Sequence, residues 1–170
     1  MRRFLLAFTL FACSQAKPLP SAAPRPVPVQ LQPPAGSVFL LAASARGVQI
    51  YERKSGASAG TLKAPEAELF DDGGAKIGRH FGGPTWQLTN GSQVVGEVKE
   101  KLPGEPGSIP WLLLQRKSGS GEGKLARAAF IQRVDTQGGP ARAEGCDPAH
   151  PGAESRIEYT ASYLFYGAKP

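Results

Sequence analysis

Two cysteines, two histidines and one methionine are all that 170 residues hold of the side chains most used in metal and redox chemistry. One cysteine and two histidines at these spacings make no zinc site without borrowed carboxylates, so no metal and no cofactor is expected. Acidic residues are also in the minority, 14 against 20 basic. That imbalance does not describe a nucleic-acid surface. Arg2, Arg3, Lys17 and Arg25 all precede residue 36, which leaves 16 basic and 14 acidic residues from Gly36 onward. These alternate in sign rather than forming a stripe that could follow a phosphate backbone, and nucleic acid is not an expected partner.

No apolar stretch long enough for a membrane-spanning helix occurs at the N-terminus, where such a stretch would matter most. Met1-Arg2-Arg3 gives a basic start, and the nine residues Phe4 to Ala12 form a short apolar run. A basic n-region, a short h-region and a small residue at the cut are the parts of a secretory signal over residues 1–12. Two cleavage readings compete. Leu10-Phe11-Ala12-Cys13 is similar to a bacterial lipobox, with Phe11 bulkier than usual at its position; cleavage there leaves a lipidated Cys13 and a membrane partner through that anchor. Cleavage after Ala16, within Ser14-Gln15-Ala16, instead releases a soluble secreted protein. Residues 13–35 then hold prolines at 18, 20, 24, 26, 28, 33 and 34, a composition that favours an extended polyproline tether over a packed core. A stalk suits an anchored domain, and the anchored reading is preferred.

Residues 36–170 suit one domain with its own core. Helical periodicity is scarce there, while strand patterns recur between clusters of Gly, Pro, Asn, Asp and Ser. Val38 to Ala42 and Val48 to Tyr51 read as two strands joined near Ala45-Arg46-Gly47. Asp71-Asp72-Gly73-Gly74 separates Glu68-Leu69-Phe70 from Lys76 to His80, and Asn90-Gly91 is a strong hairpin signal before Gln93 to Val98. Trp111 to Gln115 is a continuous apolar run, as in a strand covered on both faces, and Trp111 is expected to be buried. Lys124 to Val134 reads as a long bent strand. In the last strand Ile157, Tyr159, Ala161, Tyr163 and Phe165 share one face, and Arg156, Glu158, Thr160 and Ser162 the other. About nine short strands of this kind predict an all-β fold, an antiparallel sandwich or barrel.

Catalytic motifs are weak. Ser118 to Lys124 is glycine-rich, yet it matches neither a dinucleotide fingerprint nor a P-loop and reads as a flexible hairpin loop. His80, the stiff Gly82-Gly83-Pro84 turn, Trp86 and Ser92 lie close together in sequence. Held on rigid turns, such groups can form an aromatic platform with polar flanks for a ligand. The simpler alternative has Trp86 and Trp111 filling the core and His80 bonding a backbone carbonyl. His150, four residues after Cys146, is a further candidate ligand-binding residue or a base for the thiol.

Several blocks, in order, resemble the domain of unknown function 3455 family, whose members are exported proteins without an established activity: Gly47 to Tyr51, His80 to Trp86, Asn90 to Gly96, Ile109 to Leu114, Phe130 to Val134, Gly145-Cys146-Asp147 and Tyr159 to Tyr166. The resemblance implies that a cysteine near residue 53 can pair with one at the place of Cys146. Arg53 stands there in this chain, so Cys146 has no such partner.

The expected protein is an exported, lipid-anchored, non-catalytic domain of the cell envelope that binds a ligand or partner. The alternative is an exported hydrolase using a His/carboxylate or Cys/His pair. Replacing Cys13→Ala should move the protein from the membrane to the soluble fraction and abolish incorporation of a fatty-acid analogue, because the multiple acyl chains of a lipoprotein are what hold such a domain at a bilayer. Equal labelling of wild type and variant would rule the anchor out.

Overall fold

A computed structural model describes residues 26–52, 60–141 and 153–169. Eight antiparallel strands follow one another around a closed barrel: β1 (Val38–Glu52), β2 (Thr61–Phe70), β3 (Lys76–Phe81), β4 (Thr85–Leu88), β5 (Gln93–Leu102), β6 (Trp111–Ser120), β7 (Ala128–Gly138) and β8 (Glu154–Gly167). Each strand pairs with its sequence neighbours. The ring is completed by β1 and β8, which pair from Val38 opposite Gly167 to Glu52 opposite Glu154 with one irregularity between Phe39 and Leu41.

The expected all-β antiparallel fold is found as a barrel, with eight strands rather than about nine. The difference lies in β1. Ala45-Arg46-Gly47 is not a turn but the middle of a single 15-residue strand. Gly47 is there because β2 crosses so closely that a Cβ would lie 2.1 Å from the Glu66 carbonyl oxygen and 2.4 Å from the Ala67 Cα. The expected bent strand from Lys124 also starts differently. Leu125–Arg127 is a 3₁₀ turn that buries Leu125 completely, and β7 begins at Ala128.

Alternation sorts the walls. Ala43 and Ala45 of β1, Leu69 of β2, Ile131 of β7 and Phe165 of β8 point inward and are buried. Outward positions carry charge, with ion pairs between Lys76 and Glu68 and between Arg156 and Glu66. This polarity is the reverse of a transmembrane barrel, whose outer band is apolar.

One part of the outer wall is covered. Trp111 and Leu113 of β6 and Val134 of β7 face outward and are nonetheless buried, with Leu31 from a 3₁₀ turn at Val29–Leu31 packed among them. Gln132 Nε2 donates to the Leu31 carbonyl at 2.6 Å, and its Oε1 accepts the Tyr166 hydroxyl at 2.9 Å. Trp111 to Leu114 thus faces two cores, Leu112 and Leu114 inside and Trp111 and Leu113 under this strap. The strap comes from the segment read as tether, so that segment's last residues belong to the folded body. Leu31→Ala should cost about 2–5 kcal/mol, the range for a buried leucine truncated to alanine. Urea denaturation checks it: a midpoint unchanged from wild type would mean that the strap contributes nothing.

Candidate functional site

Strand direction places the β3–β4 turn and the long β5–β6 connection at one end of the barrel, and the β2–β3, β4–β5 and β6–β7 turns at the other. The second end is plugged by apolar side chains, including Leu125 and Phe165. Toward the first end the interior opens into a cavity of about 400 Å³. Leu62 and Val98, each about half exposed, stand at its mouth. Pro65, Pro84 and Pro110 stiffen its wall.

His80 and Trp86 face each other across the β3–β4 pair and both point inward. Their rings stack at 4.4 Å with only 10° between planes. Tyr163 of β8 meets both edge-on, at 5.1 Å from His80 and 5.2 Å from Trp86. Gly96 on β5 makes room for the indole, since a Cβ there would sit 3.2 Å from Trp86 Cζ3. The turn behind is fixed by Gly83 at φ 77° and by the Thr85 hydroxyl donating to the Gly82 carbonyl at 3.0 Å.

His80 Nδ1 lies 2.8 Å from the Thr85 carbonyl oxygen. A carbonyl only accepts, so Nδ1 carries the proton and Nε2 presents a lone pair. Burial is the main reason that the imidazole pKa falls from 6.5 to about 3; the Thr85 hydrogen bond opposes the fall and the charge of Arg133 adds to it. His80 is therefore neutral at any physiological pH.

Arg133 reaches the same space from β7, opposite Tyr163 on β8 and Leu112 on β6. Its Nε and Nη2 donate to the Pro110 carbonyl at 3.0 and 2.9 Å. Those bonds use two of the five guanidinium N–H groups. Gln49 Nε2, Trp86 Nε1 and the hydroxyls of Tyr159 and Tyr163 are buried without a well-formed hydrogen bond, and the Tyr163 hydroxyl lies within reach of Tyr159, Arg133 and Trp86. Burial raises the pKa of both tyrosines, so their hydroxyls stay protonated, although Arg133 pulls in the opposite direction. Tyr51, also lining the cavity, is already committed: its hydroxyl donates to the Gly139 carbonyl at 2.7 Å. Among the described residues no Asp or Glu lines the cavity, and no group of three His, Cys, Asp or Glu could hold a metal.

The structure brings His80 and Trp86 together and leaves Ser92 out. Ser92 belongs to the β4–β5 turn at the opposite end, where its hydroxyl and backbone N–H donate to Asn90 Oδ1 at 2.8 and 3.0 Å. The Asn90-Gly91 hairpin itself is present, with Gly91 at φ 84°. His150, Cys146 and Cys13 lie outside the described residues. Gln49, Arg133 and Tyr163 were not singled out from the sequence. Tyr163 was legible only as an inward residue of β8. Arg133 carried a usable signal, a charge at the inward parity of Ile131-Gln132-Arg133.

Residues 34–167 match the model of the family described as protein of unknown function (DUF3455). The chain belongs to this family. No curated protein and no solved structure matches it. Membership of DUF3455 assigns no chemistry to the site. The Thr85 carbonyl orients the imidazole, and among the described residues lining the cavity no carboxylate stands beside it to stabilise an imidazolium.

The buried imidazole has a consequence for acid stability. Unfolding restores the ordinary pKa, so between pH 6.5 and about 3 the unfolded chain binds a proton that the folded chain refuses. His80 therefore costs nothing above pH 6.5, and stability falls as pH drops through this window, by up to about 1.4 kcal/mol per pH unit. A His80→Gln variant should show a shallower loss between pH 6.5 and 4.5, measured by urea midpoints. Parallel wild-type and variant profiles would contradict the assignment.

Proposed function

We propose that this DUF3455 protein is an exported envelope domain, anchored through Cys13, that holds a small ligand inside its barrel and catalyses no reaction. The observation that carries the binding reading is the cavity of about 400 Å³ walled by Trp86, His80, Tyr163, Leu112 and Leu114. Ligand sites occupy roughly 300–1,000 Å³, are mostly apolar, and place a few polar groups among apolar walls. Eight-stranded barrels are just wide enough to be filled by side chains or to hold one small ligand. Here the apolar plug fills one end and leaves the other for a guest. Export and anchoring rest on Met1 to Cys13 and on the proline-rich stretch that follows. A hydrolase built on His80 has less support, because an imidazole whose pKa falls to about 3 is a weak base and no carboxylate of the described residues lines its cavity.

Nile red, a neutral apolar dye, should bind the folded protein with a blue-shifted emission. Val98→Trp adds bulk at a half-exposed position on the mouth, and should weaken binding about tenfold with little change in urea midpoint. Failure of the folded wild type to bind the dye, or an unaltered affinity in Val98→Trp, would count against the cavity as the ligand site.

A further inference from the structure

The unmet polar groups in the barrel are of one kind. Gln49 Nε2, Trp86 Nε1, Tyr159 Oη and Tyr163 Oη are hydrogen-bond donors or can act as donors, and none makes a well-formed hydrogen bond, although Tyr159, Arg133 and Trp86 all converge on the Tyr163 hydroxyl. Their residues are 1, 1, 3 and 0% exposed. Tyr163 and Arg133 face each other across the β7–β8 pair, and Gln49, Trp86, Tyr163 and Arg133 all line the cavity. Buried donors are normally satisfied, and several left together mark a place where an acceptor from outside the chain belongs.

Charge points the same way. Arg133, Lys63 and Lys101 line the cavity, and no carboxylate of the described residues does. Lys63 is occupied at the rim by Glu154. Arg133 donates to the Pro110 carbonyl and approaches the Tyr163 hydroxyl, and the ion pairs of the described residues leave it out. A guanidinium with spare N–H groups in a half-buried site matches a carboxylate, which can accept two parallel bonds. The rest of the wall, Leu112, Leu114, Ile109 and the prolines, offers apolar contact only.

We propose that the barrel cavity selects a monoanionic amphiphile: its carboxylate is held by Arg133 with the Tyr163 hydroxyl and the Trp86 and Gln49 N–H groups, and its apolar body lies along Leu112 and Leu114. The proposal rests on the cavity being a ligand site and adds the chemical class of the ligand. One negative charge fits one free guanidinium. Lys101, which also lines the cavity, is exposed, so a second charge would meet only a solvated ammonium.

Decanoate and decanol share an alkyl chain and differ in the head, so competition of each against Nile red isolates the charge. The carboxylate should bind about tenfold or more tightly than the alcohol, as expected of charge-assisted hydrogen bonds in a desolvated site. Arg133→Met should bring decanoate down to the level of decanol while decanol itself is unaffected. Tyr163→Phe removes a single hydroxyl and should lower the preference part-way, which keeps the test valid if Arg133→Met does not fold. Direct contact is read from Trp86 fluorescence in a Trp111→Phe background, where decanoate should perturb the emission. Equal binding of the two probes, or a preference retained in both variants, overturns the anion assignment and leaves the cavity reading standing. Failure of decanoate, decanol and Nile red alike to bind overturns both.

Discussion

The pairing of β1 with β8 removes the two free edges that an open eight-stranded sheet would expose and encloses everything on its inner face. Closure also fixes parity. Once Gly47 is opposite Tyr159 and Ala45 opposite Ala161, each inward position of β1 is committed, and its neighbours on β2 follow through Gly47 opposite Ala67. A slip of one residue would turn Gln49 and Tyr51 to solvent and Ile50 and Val48 to the inside. The cavity and its donors are therefore a property of the register rather than of any one strand.

Within that enclosure, two demands divide the barrel along its length. Stability requires apolar filling, supplied at one end by Leu69, Leu125, Ile131 and Phe165. Toward the other end the same alternation places Gln49, His80, Arg133, Tyr159 and Tyr163, whose burial is costly without partners. The backbone meets part of that cost: Thr85 accepts from His80, Pro110 from Arg133 and Gly139 from Tyr51. Each bond fixes the direction of a ring or fork. Of the buried side-chain groups without a well-formed bond, Gln49, Trp86 and Tyr163 line the cavity, whereas Tyr159 lies outside its lining and Trp111 is under the strap.

Much of this architecture was legible in the residues, and the failures have identifiable causes. β8 could be read directly because polar and apolar residues alternate without interruption from Arg156 to Tyr163. β1 was split because Ala42 to Gly47 has the small side chains of a turn; their real reason is a narrow interior, with Ala43 and Ala45 buried and Gly47 pressed against β2. Pro65 concealed the first half of β2, since proline argues against a strand unless its missing N–H is not needed. Of the site, His80 and Trp86 were visible because turn and strand bring them together locally. Arg133 and Tyr163 are thirty residues apart in sequence and meet only through the β7–β8 register, which no local pattern encodes.

The strap at Leu31 determines how a load on the N-terminal segment would enter the domain. Tension drawn along the chain from the proline-rich side arrives first at the Leu31 side chain among Trp111, Leu113 and Val134, and at the Gln132–Leu31 hydrogen bond. The ladders that hold β1 between β2 and β8 begin only seven residues later, at Val38. A pull of this kind would therefore peel the strap from the wall while the closing seam was still unloaded. The strap's contacts thus stand ahead of the barrel's closing seam on any load path that enters from the N-terminal side.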